Sequence, residues 1–328
     1  MDKELGIKDF YIAITGRCIL RCIMCTTGKG VHNIANELST EDWKKIIMNL
    51  NNECRIERIT FGGGEPLVRE DIVEIIKFTC STDVVNVTFI TNGLLLNEEF
   101  MKNFNNDELR KMSVNFSIDG LEYEHNFIRG TGVFEKMLKS FELVYYDYFK
   151  PGKLQGLVIN SILMPENLRN YVSFLEFFRK YERVQVDIQP VIPNNEIFWL
   201  KNCFKLTDLE KGKLQEIVTY VENNPAQSCR HPLMVRAYLK YFNNELLKGE
   251  RCTTGRNALN ITLAGNTFLC GKEIIMPLHK FSLKDVISSE EYRNEMKRVD
   301  ACEKPCLQGL HINTEDFRDK DFLEKFIN

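Results

Sequence analysis

Three cysteines stand within eight residues of one another near the start of this chain: Cys18-Ile19-Leu20-Arg21-Cys22-Ile23-Met24-Cys25, a Cys-x3-Cys-x2-Cys array. Thiolates at that spacing can converge on one soft metal centre. Two kinds of centre suit them. A four-iron cube takes three protein thiolates on three irons and leaves the fourth iron open to a small ligand. A structural zinc ion wants four donors, and His32, seven residues beyond Cys25, is in reach to supply the last. The array by itself leaves both open.

Other residues able to bind a ligand recur downstream. Gly62-Gly63-Gly64-Glu65-Pro66 combines glycines, which let a backbone approach closely, with a carboxylate able to accept from an ammonium group. It lacks the Lys-Ser/Thr that completes a phosphate-binding loop. In Ser117-Ile118-Asp119-Gly120 the hydroxyl and carboxylate lie two residues apart, on one side of an extended chain. His125-Asn126-Phe127-Ile128-Arg129-Gly130 carries a guanidinium, the group best shaped to pair with a carboxylate. Asn160 is a polar interruption of an apolar run. A second group of cysteines, Cys252, Cys270, Cys302 and Cys306, lies toward the C-terminus. Four thiolates would close around either an iron–sulfur cluster or a structural zinc ion. Cys54, Cys80, Cys203 and Cys229 are scattered and read as small buried hydrophobes.

The elements that must position these groups alternate. Residues 10–15, 58–61, 84–91, 112–118, 155–163 and 184–189 read as strands, with helical patterns at 40–50, 71–78, 134–149 and 167–181 between them. Six strand–helix units over residues 10 to about 225 imply an α/β fold with a parallel sheet and right-handed crossovers. Alternation alone admits either a doubly wound sheet or an open six-stranded barrel. Both put the working face at the C-terminal ends of the strands, where the cysteine triplet, the Gly62–Glu65 turn, Asn92-Gly93 and Asp119 all fall. After Pro193 the rhythm changes to helices at 207–222 and 232–247, a hairpin with strands at 259–263 and 267–269, and a last helix at 289–299. The expected division is residues 1–229 and 230–328.

Composition bounds the partners. A net charge of −3 gives no electrostatic case for nucleic acid. No apolar run is long enough to cross a membrane, and the first eight residues are polar with no signal peptide, so a cytoplasmic protein is expected. In a reducing cytosol the 11 cysteines are not a disulfide framework.

Over roughly residues 8–200, the cysteine spacing after the first strand, the Gly-Gly-Glu turn one unit later and the Ser117–Asp119 strand end together resemble the radical S-adenosylmethionine (SAM) superfamily. The resemblance implies a partial (βα)6 TIM-like barrel and a [4Fe–4S] cluster on Cys18, Cys22 and Cys25. The open iron of that cluster chelates SAM, whose reductive cleavage yields a 5′-deoxyadenosyl radical that abstracts a substrate hydrogen. It further implies that Gly63, Gly64 and Glu65 bind the SAM amino group, that Ser117, Asp119 and Arg129 serve its ribose or carboxylate, and that Asn160 faces the cofactor. The residue before the third cysteine is commonly aromatic in the family; here it is Met24. The C-terminal cysteines resemble a small α+β Twitch domain or a shortened SPASM domain, with one auxiliary [4Fe–4S] cluster on Cys252, Cys270, Cys302 and Cys306 and Cys229 in reserve.

Within the family, the layout is similar to dehydrogenases and peptide maturases. The expected reaction is therefore oxidative or redox-neutral modification of a small polar molecule or peptide, fed by an electron donor such as flavodoxin or ferredoxin. A peptide epimerase would need a thiol hydrogen donor, for which Cys203 and Cys229 are candidates. The molybdenum-cofactor cyclase shares the size but ends in Gly-Gly, whereas this chain ends Lys325-Phe326-Ile327-Asn328, and on that ground the cyclase is not expected. A non-catalytic zinc-binding module is the alternative from another class.

Overall fold

A period of two in burial explains the two faces of the sheet. In β1 (Asp9–Thr15) Phe10, Ile12 and Ile14 are buried, while Tyr11 and Ala13 between them are half-buried. The alternation repeats most cleanly in β5 (Gly156–Leu163) and β6 (Gln185–Pro190), and with local departures in β2 (Arg58–Gly63), β3 (Asn86–Thr91) and β4 (Met112–Ser117). One parity lies under the helices; the other points away from them. The computed structural model describes residues 5–25, 37–192, 206–243 and 254–301. His32, Cys203, Cys252, Cys302, Cys306 and the terminal residues 325–328 lie outside the described residues.

Each strand from β2 to β6 pairs in parallel with the one before it. Helices make the crossovers that parallel pairing demands. They are α1 (Thr40–Glu53), α2 (Ile72–Cys80), the short α3 (Glu98–Lys102) and α4 (Asn106–Lys111), α5 (Glu122–Arg129) and α6 (Val133–Val144), and α7 (Tyr171–Phe178). Local chemistry sets their limits. Ser39 caps α1 by accepting from Asp42 N, and Trp43, Ile46, Ile47 and Leu50 bury one face at helical spacing. The helix expected over 134–149 is α-helical to Val144 and finishes in one π-helical turn, Tyr145–Phe149. The sequence reading did not expect α3, α4 and α5; α3 and α4 have only 5 and 6 residues, and α5 buries Glu124 and His125 alongside Ile128, which breaks an apolar period.

Strand order follows chain order through β6-β5-β4-β3-β2-β1. A doubly wound sheet would reverse direction at a switch point, so the order decides for the barrel-like alternative. After α8 (Asp208–Asn223) and α9 (Pro232–Phe242), β7 (Ala258–Ile261) pairs in parallel with the free side of β1, with Tyr11 opposite Asn260. The antiparallel β8 (Thr267–Leu269) and β9 (Lys272–Ile274) follow, so strands from both sides of residue 230 share one sheet. The helices α10 (Leu283–Ser288) and α11 (Glu290–Asp300) complete the described chain. No helix among the described residues is long and apolar enough to cross a membrane.

Candidate metal and cofactor site

The cysteine loop leaves the C-terminal end of β1, and a buried ionic network fixes its start. Glu37 Oε1 accepts from Thr15 Oγ1 at 2.7 Å and from Gly16 N at 2.8 Å. Arg69, buried, donates to the carbonyls of Ile14 at 3.0 Å and Leu38 at 3.2 Å and pairs with Asp71 at 2.6 Å. Asp71 also accepts from Thr40 Oγ1 at 2.6 Å, which ties the cap region of α1 to the same network.

The glycine turn is stitched to this loop through its backbone. Gly64 N donates to Thr15 O at 2.7 Å, Glu65 N to Arg17 O at 2.8 Å, and Gly63 N to the Tyr11 hydroxyl at 2.8 Å. Gly63 has φ of 100°, and a Cβ there would strike Thr15 O; a Cβ on Gly64 would strike Arg17 O. The glycines are thus required by the closeness of two loops. Gly64→Ala is expected to force them apart, at about 1–3 kcal/mol for overpacking. Thermal unfolding of the apoprotein and retained iron per chain after reconstitution should both fall; unchanged values would show that the close approach is dispensable.

Glu65 is 1% exposed. Its Oε1 accepts from Thr91 Oγ1 at 2.9 Å and Leu67 N at 3.2 Å, and its Oε2 from Asn92 N at 2.7 Å. Burial pushes its carboxyl up, and those donors oppose the shift. Beside it Asn92 Nδ2 is buried with no partner among the described residues, a donor placed for a bound group.

Cys22 is buried and Cys18 and Cys25 are half-buried, packed with Leu20, Met24, Leu94 and Val133. Leu20 N points at Cys18 Sγ, 3.4 Å away, and Arg129 Nη1 donates to Cys22 Sγ at 3.9 Å. Burial pushes the Cys22 thiol up to about 11, Arg129 opposes this, and Cys18 and Cys25 add to it. The three thiols therefore feel one another. Among the described residues, however, no three His, Cys, Asp or Glu side chains close on the position of one ion. A cube spreads its thiolates over separate irons, whereas zinc gathers its donors about 2.3 Å from one point. Three neighbouring thiols are the donor set such a cube takes, while His32, the fourth donor a zinc ion would want, lies outside the described residues.

Arg129 is aimed by Asp119. The Asp119 carboxylate, fully buried, accepts from Arg129 Nε at 2.6 Å through Oδ2 and from Ile162 N at 2.8 Å through Oδ1. Its carbonyl accepts from Asn167 Nδ2 at 2.7 Å, and its N–H donates to His125 Nδ1 at 3.3 Å. Burial and then the Arg129 charge push His125 down to about 2, so this imidazole is neutral.

The structure brings Cys18, Cys22, Cys25, Gly63, Gly64, Glu65, Asp119 and Arg129 into this one region. Ser117 and Asn160 lie opposite each other across β4 and β5. Cys229 is not with them: it sits against the first residues of β6, its N–H on Val186 O at 3.0 Å and its Sγ 3.9 Å from Gln185 Oε1. Cys270 is exposed in the two-residue turn between β8 and β9, where it has φ of 42° and Gly271 has φ of 90°. Arg298 holds the Cys270 carbonyl at 2.7 Å. Sequence reading missed Tyr11, Glu37, Arg69 and Asn167 as parts of the site, and it gave no role to Asn92, which it set on the working face, or to His125, which it placed in the Arg129 segment. Asn92 carried a signal in its Asn-Gly turn.

The family model described as the Radical SAM superfamily matches residues 12–178. The GTP 3′,8-cyclase of Syntrophomonas wolfei subsp. wolfei is 27% identical over 254 residues, covering 75% of this chain and 72% of the relative. That of Peptoclostridium acidaminophilum is 27% identical over 251 residues, covering 71% and 74%. Among solved structures, Streptococcus suis SuiB bound to S-adenosylmethionine superposes with a TM-score of 0.67 at 15% identity, covering 96% of this chain and 75% of that one. Native anSMEcpe with bound AdoMet and Cp18Cys peptide gives 0.65 at 17%, covering 96% and 86%. At such identities these structures speak for the fold.

Proposed function

From the membership of this chain in the radical SAM superfamily, we propose that it holds a [4Fe–4S] cluster on Cys18, Cys22 and Cys25 with SAM beside it, and modifies an unactivated C–H bond of a polar substrate. The observation that carries this reading is the coupling of three neighbouring thiols to the glycine turn through Thr15 and Arg17. When bound, cluster and SAM together supply reductive cleavage of a carbon–sulfur bond and a radical able to take hydrogen from carbon. The chain's own residues orient and shield. The carboxylate of Glu65 and the orphan amide of Asn92 are suited to the polar end of SAM, and Leu20, Met24, Leu94 and Val133 limit water at the thiols.

Anaerobic reconstitution tests this directly. About four irons per chain, or about eight if Cys252, Cys270, Cys302 and Cys306 hold an auxiliary cluster, are expected. Dithionite should then convert SAM to 5′-deoxyadenosine. Stoichiometric zinc with no iron–sulfur absorption and no SAM cleavage would make the chain a zinc-binding module instead.

A second reading comes from the relatives named GTP 3′,8-cyclase, which make a reaction on a nucleotide the alternative for this chain. Oxidative or redox-neutral modification of a small polar molecule or peptide stays the leading reaction class, supported by the strand row Ser117, Asn160 and Asp187, in which the Asp187 carboxylate is already paired with the Arg230 guanidinium. The flavodoxin- or ferredoxin-type donor and the two-part division near residue 230 belong to the same proposal.

A further inference from the structure

The sheet face turned away from the helices continues past β1. Register carries one row across four strands: Tyr11 of β1 lies opposite Asn260 of β7, Asn260 opposite Phe268 of β8, and Phe268 opposite Glu273 of β9. The residues of the other parity, Ile261, Thr267, Leu269 and Ile274, are buried, with α11 packed behind β8 and β9. Glu273 is the only acidic residue in β7, β8 and β9. Its side chain reaches back toward β1. Glu273 Oε1 accepts from Thr262 Oγ1, just past the end of β7, at 2.7 Å and from Asn266 Nδ2, in the β7–β8 turn, at 2.9 Å. That turn is tied to the segment that locks the cysteine loop: Leu38 N donates to Leu263 O at 3.3 Å, and Glu37 beside it holds Thr15 and Gly16.

Two features mark this place as one for a cation. The half-buried Glu273 has no ion-pair partner among the described residues, and Lys272 next to it turns instead to Glu291, at 3.8 Å. Asn266 is 7% exposed, and its Oδ1 is buried without a partner. The orientation of that amide is fixed: a carboxylate only accepts, so Asn266 must offer it nitrogen and is left with a spare oxygen. Glu273 Oε2 is likewise left over from the contacts its partner oxygen makes. A water could serve the Asn266 oxygen but would leave the carboxylate without a counter-charge. A divalent metal takes six or more oxygens, several of them charged, and no three His, Cys, Asp or Glu side chains gather among the described residues. A primary ammonium, a single charge carrying three donors, matches one carboxylate and one amide oxygen.

Resting on the function proposed above, we infer that Glu273 and Asn266 bind a primary ammonium group of the substrate, on the β7 side of the cysteine loop and apart from the residues given to SAM. The same group is offered by an amino sugar and by a lysine side chain.

Calorimetry and saturation-transfer NMR on the reconstituted, SAM-loaded chain test it with two matched pairs: glucosamine against glucose, and Nα-acetyl-lysine amide against Nα-acetyl-norleucine amide. Within one pair the amine is expected to bind at least about tenfold tighter than its neutral partner, and the pair that responds tells the source. Glu273→Gln keeps a carbonyl oxygen for Thr262 and Asn266 and puts NH2 in place of the spare oxygen. Thermal unfolding should therefore hold, while amine affinity falls about ten- to a hundredfold, the scale of a hydrogen bond to a charged group. Glu273→Asp keeps the charge and is expected to bind the amine better than Glu273→Gln. Equal affinity within both pairs overturns the inference, as does binding by neither amine, amine affinity untouched in Glu273→Gln, or an equal loss in the Asp and Gln variants. Failure of the wild-type chain to assemble a cluster or cleave SAM sinks the broader function instead, and is scored separately.

Discussion

Cys22→Ala is expected to abolish 5′-deoxyadenosine formation from SAM and reductant, with a loss of at least about a thousandfold. Of the three thiols Cys22 is the buried one, and the one that receives a hydrogen bond from Arg129. A cube held by three thiolates cannot replace one from this loop, because the other described cysteines are elsewhere: Cys54 and Cys80 in the core, Cys229 on the edge of β6, Cys270 in a distant turn. The effect should be chemical, since an alanine at a buried position beside Leu20 and Val133 removes one sulfur and leaves the packing largely in place. Iron content, the visible iron–sulfur absorption and liquid chromatography of 5′-deoxyadenosine follow it. Retained cleavage in a folded Cys22→Ala protein would remove the cluster assignment.

The second large effect is on folding. Arg129→Met leaves the Asp119 carboxylate buried with Ile162 N as its remaining partner. Removing one member of a buried ion pair costs about 3–5 kcal/mol, most of it the penalty of the stranded charge. Asp119→Asn with Arg129→Met removes both charges and is expected to recover most of that loss. Urea unfolding of the three apoproteins measures it. A single variant within about 1 kcal/mol of wild type would show that the Asp119 carboxylate is rehydrated at little cost, and that Arg129 is not what holds it. In the double variant Cys22 also lacks its guanidinium donor, so a cluster that still assembles there would limit Arg129 to a structural part.

Much of this architecture is written locally. The six strand–helix units, the cap at Ser39, the hairpin through Gly265 and the placement of the cysteine and glycine loops at strand ends all follow from spacings of two to four residues, where periodicity and turn chemistry act. The short helices α3 and α4, the polar-faced α5, and the pairing of β7 with β1 carry no such signal. Arg129 and Cys22 are 107 residues apart and Arg230 and Asp187 are 43 apart. In the first pair the sequence names a cation but not its partner; in the second it marks neither residue.

From its sequence alone, then, the chain determines an α/β alternation and a metal-ready cysteine loop, because thiol spacing and burial period are properties of neighbouring residues. Tertiary structure alone decides that Asp119 aims Arg129 at a cysteine sulfur, that Glu37 and Arg69 lock the loop, and that a charge-cancelled row crosses three strands. Those contacts exist only once parallel register and helix docking bring distant side chains within hydrogen-bonding distance.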